Sequence, residues 1–148
     1  ILEEDTLANA VIVHGPEKIL PVDIKTEPYP GFPTDMQSQF MAYMCLCEGT
    51  SQFVENIFEN RYMHVDELRK MGAQIQTESR NAFVMGVPRL HGASVRATDL
   101  RAGAALIIAG LAAEGVTEIG DLHHIDRGYE NLIEKFCGLG ADIKRVSI

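Results

Sequence analysis

The feature that most constrains this chain is a repeat within it. TDMQSQFMAYMCLCEGT (34–50) aligns with TDLRAGAALIIAGLAAEGV (98–116). The Thr-Asp-apolar start recurs at an offset of 64, and Glu48-Gly49 recurs as Glu114-Gly115 at 66. Asn60-Arg61 recurs as Asp126-Arg127 at 66, and Met71-Gly72-Ala73 as Leu139-Gly140-Ala141 at 68. Four matches in one order, with an offset that grows in small steps, describe a duplicated unit of about 66 residues. That period is longer than solenoid periods, so each copy is a small layered unit in its own right.

The pattern inside each copy is β-α-β-α-β-β. Helices are predicted over Met36–Glu48 and Leu100–Glu114, closed by Gly49 and Gly115. Gln52–Ile57 and Val116–Leu122 read as strands. A second helix is predicted near His64–Met71 and Tyr129–Leu139, ending at Gly72 and Gly140. Gln74–Thr77 and Asp142–Val146 alternate like strands, and Ala82–Met85 reads as a return strand. NAVIVHG (9–15) resembles NAFVMGV (81–87), so residues 1–24 read as the tail hairpin of a preceding unit. Unit 1 is expected over 25–86 and unit 2 over 87–148, with the last strand of unit 2 missing. Alternating strands and helices imply an α/β fold with helix-covered sheets.

The 148 residues suffice for a real core. A net charge of −8 argues against non-specific nucleic-acid binding, which needs a basic face. Three cysteines, Cys45, Cys47 and Cys137, without C-x-x-C spacing suggest neither a disulfide framework nor a zinc site. No apolar run approaches a membrane span, and ILEED has no basic leader character. A cytoplasmic protein is expected, and the absence of an initiator Met suggests a fragment.

Thr34-Asp35-Met36-Gln37 fits a capping box, with Thr34 as N-cap and Gln37 reaching back. Asp35 in the first turn suits the helix dipole. In the second copy Arg101 stands where the box wants Glu or Gln, and a cation there opposes the dipole. A locally unfavourable choice beside the carboxylate of Asp99 points to a site. Arg61 and Arg127 follow cap-like residues in the same place of each copy, where surface ion pairing is the plain explanation. The functional alternative is a guanidinium fork for a carboxylate or phosphate. If the copies face one cleft, Arg61, Arg101 and Arg127 line it. His123-His124 on a strand point to opposite faces and make a poor chelate, so no metal is expected. No P-loop, dinucleotide fingerprint or nucleophile elbow is present.

FPTDMQSQF, NIFENRYMHVDELRKMGA, ATDLRAGAALIIAG and HHIDRGYE together resemble the C-terminal part of the UDP-N-acetylglucosamine 1-carboxyvinyltransferase family of enolpyruvyl transferases. The sister family of the shikimate pathway shares the fold without ENRYMHVDEL or HIDRGYE in this form. The resemblance implies an inside-out α/β barrel of the EPSP synthase type, built from β-α-β-α-β-β units with helices inside and sheets outside. This chain would supply part of one domain of two. It also implies transfer of enolpyruvyl from phosphoenolpyruvate to the 3-hydroxyl of UDP-N-acetylglucosamine, with release of phosphate, the first committed step of peptidoglycan synthesis.

By resemblance, Asp35 is the carboxylate at the sugar hydroxyl and the candidate general base, with Thr34 beside it. Arg127 clamps phosphoenolpyruvate. Asp99, a further catalytic candidate, and Arg101 line the same cleft and contact the intermediate or phosphate, Arg61 responds to closure, and Ile57 and Phe58 lie against the sugar nucleotide. No cofactor is implied. The family's N-terminal lysine, its cleft cysteine and another arginine have no counterpart here, so the chain alone is expected to be inactive and prone to self-association through exposed seams. The alternatives are the shikimate-pathway enzyme and a non-catalytic sugar-nucleotide-binding relative.

Overall fold

In the computed structural model, the backbone is described for residues 2–5 and 10 and the whole chain for 11–146. Ile1, residues 6–9 and residues 147–148, the end of the ADIKRVSI stretch, lie outside the described residues. Strands β1 (Leu2–Asp5) and β2 (Ala10–Val13) form an antiparallel hairpin. Next come β3 (Ile24–Lys25), a single 3-10 turn over Thr34–Met36, and helix α1 (Gln37–Met44). Then follow β4 (Thr50–Val54), α2 (His64–Lys70), β5 (Gln74–Glu78) and β6 (Asn81–Met85). The order of the resulting sheet is β3-β4-β6-β5, with β3 parallel to β4 and the other pairs antiparallel.

The chain then repeats the opening move. Strand β7 (Ser94–Arg96), helix α3 (Leu100–Ala112) and β8 (Glu118–Gly120) place β7 parallel to β8. The register recurs as well. Val54 pairs with Lys25 and Gly120 with Arg96, and the next amides, Thr26 and Ala97, donate to the carbonyls of Val54 and Gly120 at 2.9 and 3.0 Å. Two short helices, α4 (His123–Asp126) and α5 (Leu132–Gly138), follow.

The sheet alternates. Ser51 and Phe53 of β4, and Ala82 and Val84 of β6, are buried, while their neighbours are half-buried or exposed. The buried face meets α1 and α2, and α1 packs along α3. Small side chains make that helix contact close: Ala105 and Ala109 on α3 lie buried with Leu106 in one core with Met41, Ala42 and Met44, while Gly103 lies against Ile125 and Ala97. Ala97, Ile107 and Ile125 form a smaller core beneath α4 and α5. The buried Glu67 on α2 ties the halves together by accepting the Arg96 amide of β7 at 2.9 Å.

Helices α2 and α5 stop in the same way. The Gly72 amide donates to Arg69 and the Ala73 amide to Leu68, and in the second copy Gly140 donates to Cys137 and Ala141 to Phe136. This is the Schellman arrangement, and φ of 92° and 91° at the two glycines is what favours residues without a Cβ.

Several expectations need correction. α1 ends at Met44 and α3 at Ala112, short of Gly49 and Gly115. His123-His124 is helical, because the chain is already turning at Leu122 (φ −60°, ψ −17°), and the two rings lie 4.0 Å apart. The second helix of the second copy begins at Leu132, not Tyr129. Asp142–Val146 is irregular: β5 is a strand because β6 pairs with it, and no neighbour pairs with 142–146 among the described residues.

Candidate functional site

Pro33 is extended (φ −72°, ψ 134°) and hands the chain into the 3-10 turn that presents Asp35. Thr34 is not an N-cap. Its Oγ1 donates to Glu55 Oε2 at 2.9 Å, and Gln37, buried, has no hydrogen-bond partner for its amide. The capping box is therefore not formed: a buried carboxylate further along the chain takes the hydroxyl instead. Glu55 Oε1 also accepts Thr26 Oγ1 at 2.8 Å and the amides of Ile57 and Phe58 at 2.9 and 3.2 Å. Sequence reasoning missed Glu55. An acid at the end of an apolar strand reads as solvated, and only its 1% exposure reveals it as a hub.

Asp35 is met by two arginines. Arg61 Nη2 donates to Oδ1 at 3.1 Å and Arg101 Nη2 to Oδ2 at 2.8 Å. The Arg101 hydrogen bond, opposed by burial and aided by the Arg101 charge and by Arg61, holds the Asp35 carboxyl below its usual range. Asp35 raises the Arg101 guanidinium in turn. Arg61 also lies over the Phe58 ring, 4.6 Å from its centroid. Asp99 faces the other way from the carboxylate it repeats. It is the N-cap of α3, accepting the amides of Arg101 and Ala102 at 2.8 and 2.9 Å, while the hydroxyl of Thr98 is buried without a partner. Arg101 in the first turn is tolerated because its guanidinium leaves the helix for Asp35.

Behind this group lies His64, 1% exposed, with Nε2 unpartnered. Burial pushes its pKa down to about 4, partly countered by the charge of Asp99. Arg127 is exposed on the turn after α4 and makes no ion pair among the described residues. Neither it nor Arg61 follows a cap: Asp126 ends α4 and pairs with Arg145 at 3.1 Å, and α2 begins only at His64. Ile57 and Phe58 are exposed beside Arg61. The structure thus joins Asp35, Arg61, Arg101 and Phe58, leaves Thr34 and Ile57 anchored to Glu55, and leaves Asp99 and Arg127 outside the ion cluster.

The cluster lies on an open face. Two shallow concavities, one along Gln76–Glu78 with Phe83 and one along Glu59–Asp66 with Thr77 and Ser79, do not include Asp35. No group of metal-binding side chains occurs among the described residues. No helix among them is long and apolar enough to cross a membrane. Cys45 and Cys47 are buried, and burial pushes the Cys45 thiol up to about 12, so Cys45 offers no thiolate.

Residues 2–136 match the family model described as EPSP synthase (3-phosphoshikimate 1-carboxyvinyltransferase). The chain belongs to the EPSP synthase family. Within it, the chain is 60% identical over 144 residues to UDP-N-acetylglucosamine 1-carboxyvinyltransferase 2 of Carboxydothermus hydrogenoformans, covering 97% of this chain and 34% of that protein. It is 62% identical over 138 residues to UDP-N-acetylglucosamine 1-carboxyvinyltransferase of Geotalea daltonii, covering 93% and 33%. The chain therefore spans about a third of the length of the curated relatives it matches. Among solved structures, it superposes on the enolpyruvyl transferase NikO from Streptomyces tendae with a TM-score of 0.86 at 33% identity, covering 97% of this chain and 33% of that one. EPSP synthase from Acinetobacter baumannii shares the fold at a TM-score of 0.61 and 20% identity.

Proposed function

We propose that this chain is the part of an enolpyruvyl transferase that carries Asp35 as general base, acting on UDP-N-acetylglucosamine and phosphoenolpyruvate in peptidoglycan synthesis in the cytoplasm. The observation that carries this reading is one carboxylate held between two arginines on an open face, in a chain about 60% identical to proteins named for that reaction. An alcohol near its native pKa is a poor nucleophile. A fixed carboxylate takes the hydroxyl proton as the sugar oxygen bonds to C2 of phosphoenolpyruvate, while C3 gains a proton from an acid. Phosphate then leaves as C3 gives up a proton, and the enol ether remains. A carboxylate held below its usual range is ionised and weakly basic, so placement must supply most of the effect. Half of Asp35 is open to solvent, which leaves lone pairs for the hydroxyl.

Arg61 and Arg101, with Arg127 on the neighbouring turn, would bind the carboxylate and phosphate of phosphoenolpyruvate and the charge that develops as phosphate leaves. Ile57 and Phe58 would meet the sugar nucleotide with Thr34 beside it, and Asp99 would contact the intermediate or the phosphate. The wider frame we propose is the inside-out barrel, with a hairpin over 1–24, one unit over 25–86 and a second over 87–148, in one domain of two. The open face fits a cleft that a second domain closes. The chain alone would be inactive, and its uncovered seams would favour self-association.

The test is phosphate release by the full-length protein with phosphoenolpyruvate and either UDP-N-acetylglucosamine or shikimate 3-phosphate. Turnover with the sugar nucleotide that Asp35→Asn abolishes supports the reading. Turnover only with shikimate 3-phosphate overturns the substrate, and binding without turnover overturns the enzyme.

A further inference from the structure

Glu55 is the most connected buried acid among the described residues, and three of its four donors, at Thr34, Ile57 and Phe58, lie on segments that lead to the site. Oε2 is committed to Thr34, next to Asp35, while Oε1 accepts Thr26 and the Ile57 and Phe58 amides. Phe58 carries Arg61 on its ring, and Arg61 returns to Asp35. The contacts close into a ring: Glu55 to Thr34 and Asp35, Asp35 to Arg61, Arg61 to Phe58, and Phe58 back to Glu55.

A fully hydrogen-bonded buried acid is ordinarily explained by stability alone. The second copy argues against that explanation here. At the same offset of 66 the acid becomes Asp121, which lies at the surface and pairs with Arg96 at 2.8 Å. The residue in the register of Thr26 is Ala97, which has no hydroxyl. The hydroxyl of Thr98, left without its acid, is buried and unpartnered. The β-α-β arrangement with its parallel strand pair therefore forms without this clamp. The clamp occurs only in the copy whose Thr-Asp carboxylate faces arginines.

We propose that Glu55 is a positioning residue, whose buried carboxylate sets the Thr34–Asp35 turn and the Ile57–Phe58 backbone in one frame so that Asp35 and Arg61 meet the same reacting group. This deepens the function proposed above and rests on it for its kinetic consequence, though not for its geometric one. Displacing a base by an ångström costs up to about a hundredfold in rate, which is the scale at which such a clamp acts.

The test uses the full-length protein with Thr34→Val, which cuts the Thr34 contact and keeps the other three, and with Glu55→Gln. Thr26→Val removes a donor to Oε1 and the acceptor of the Asn56 amide, and leaves the Thr34 contact in place. Carbon NMR of the Asp35 carboxyl and amide hydrogen exchange at residues 57 and 58 report the geometry directly. We expect Asp35 to titrate higher in Thr34→Val and Glu55→Gln than in the wild type, since its arginines are no longer held opposite it. Exchange at 57 and 58 should speed up in Glu55→Gln. With UDP-N-acetylglucosamine and phosphoenolpyruvate, kcat should fall about tenfold to a hundredfold in Thr34→Val, with KM changing less. An unchanged Asp35 titration in Thr34→Val overturns the inference, even if Glu55→Gln fails to fold. A wild type that does not turn over these substrates overturns the proposed function, and the titration still decides the role of Glu55.

Discussion

Arg101 Nη2 lies 2.8 Å from Asp35 Oδ2, joining two residues 66 apart, one from each copy of the repeat. Each belongs to a Thr-Asp segment, yet the two segments do different work. In the first, the aspartate faces outward and takes cations. In the second, Asp99 turns inward to cap α3, and its neighbour Arg101 supplies the cation.

The pH dependence of that contact has a definite sign. The folded pKa of Asp35 is lowered from 3.8, so its contribution to stability is present above the unfolded value and is lost as pH falls through the folded one. The pair is about half exposed on the Asp35 side, so the contribution is about 1 kcal/mol or less. The Tm difference between wild type and Asp35→Asn should be small near neutrality, vanish in strong acid, and shrink at about 1 M salt.

His64 predicts a steeper profile at higher pH. Its folded pKa is about 4 against 6.5 unfolded, so the unfolded chain binds the extra proton in that window. Stability should fall as pH drops from 6.5 towards 4, and His64→Gln should flatten that slope. Denaturant midpoints across the window provide the measurement.

Arg61→Lys keeps the charge and loses the planar fork and the stacking on Phe58. We expect turnover of the full-length protein to fall by more than about tenfold, the equivalent of roughly 1.4 kcal/mol in the barrier, with Tm nearly unchanged. Wild-type turnover in Arg61→Lys would show that a point charge is enough.

The twin helix stops make a matched pair of predictions. Gly72→Ala and Gly140→Ala each place a Cβ at φ near 90°, and no atom crowds either position closer than 3.5 Å. Backbone strain alone should cost about 1–2 kcal/mol at each, read as a loss of stability in urea.

Much of this arrangement is legible in the sequence, because period and chemistry coincide. The repeat offsets mark the Thr-Asp and Arg positions of each copy, Asp35 with Asp99 and Arg61 with Arg127, and glycine marks Gly72 and Gly140 as stops. What escapes is whatever depends on a partner far along the chain. Thr34 has the spacing of a cap and serves as an anchor, because Glu55 is buried within reach. His123-His124 could turn either way on composition, and a helix begins there because Leu122 already has helical dihedrals. Asp142–Val146 has the alternation of a strand and is irregular without a paired neighbour. Arg127 matches Arg61 in sequence, but it sits on a turn that gives it no carboxylate among the described residues.

Because α2 and α5 each end in their own glycine, the length of chain between one helix and the next is free to differ from copy to copy. The offset drifts from 64 to 68 along the repeat, while both stops keep the same hydrogen bonds. A duplicated gene with such punctuation can gain or lose residues in its loops without rotating a helix out of phase. One copy is then free to turn its carboxylate to two arginines while the other keeps its aspartate as a cap.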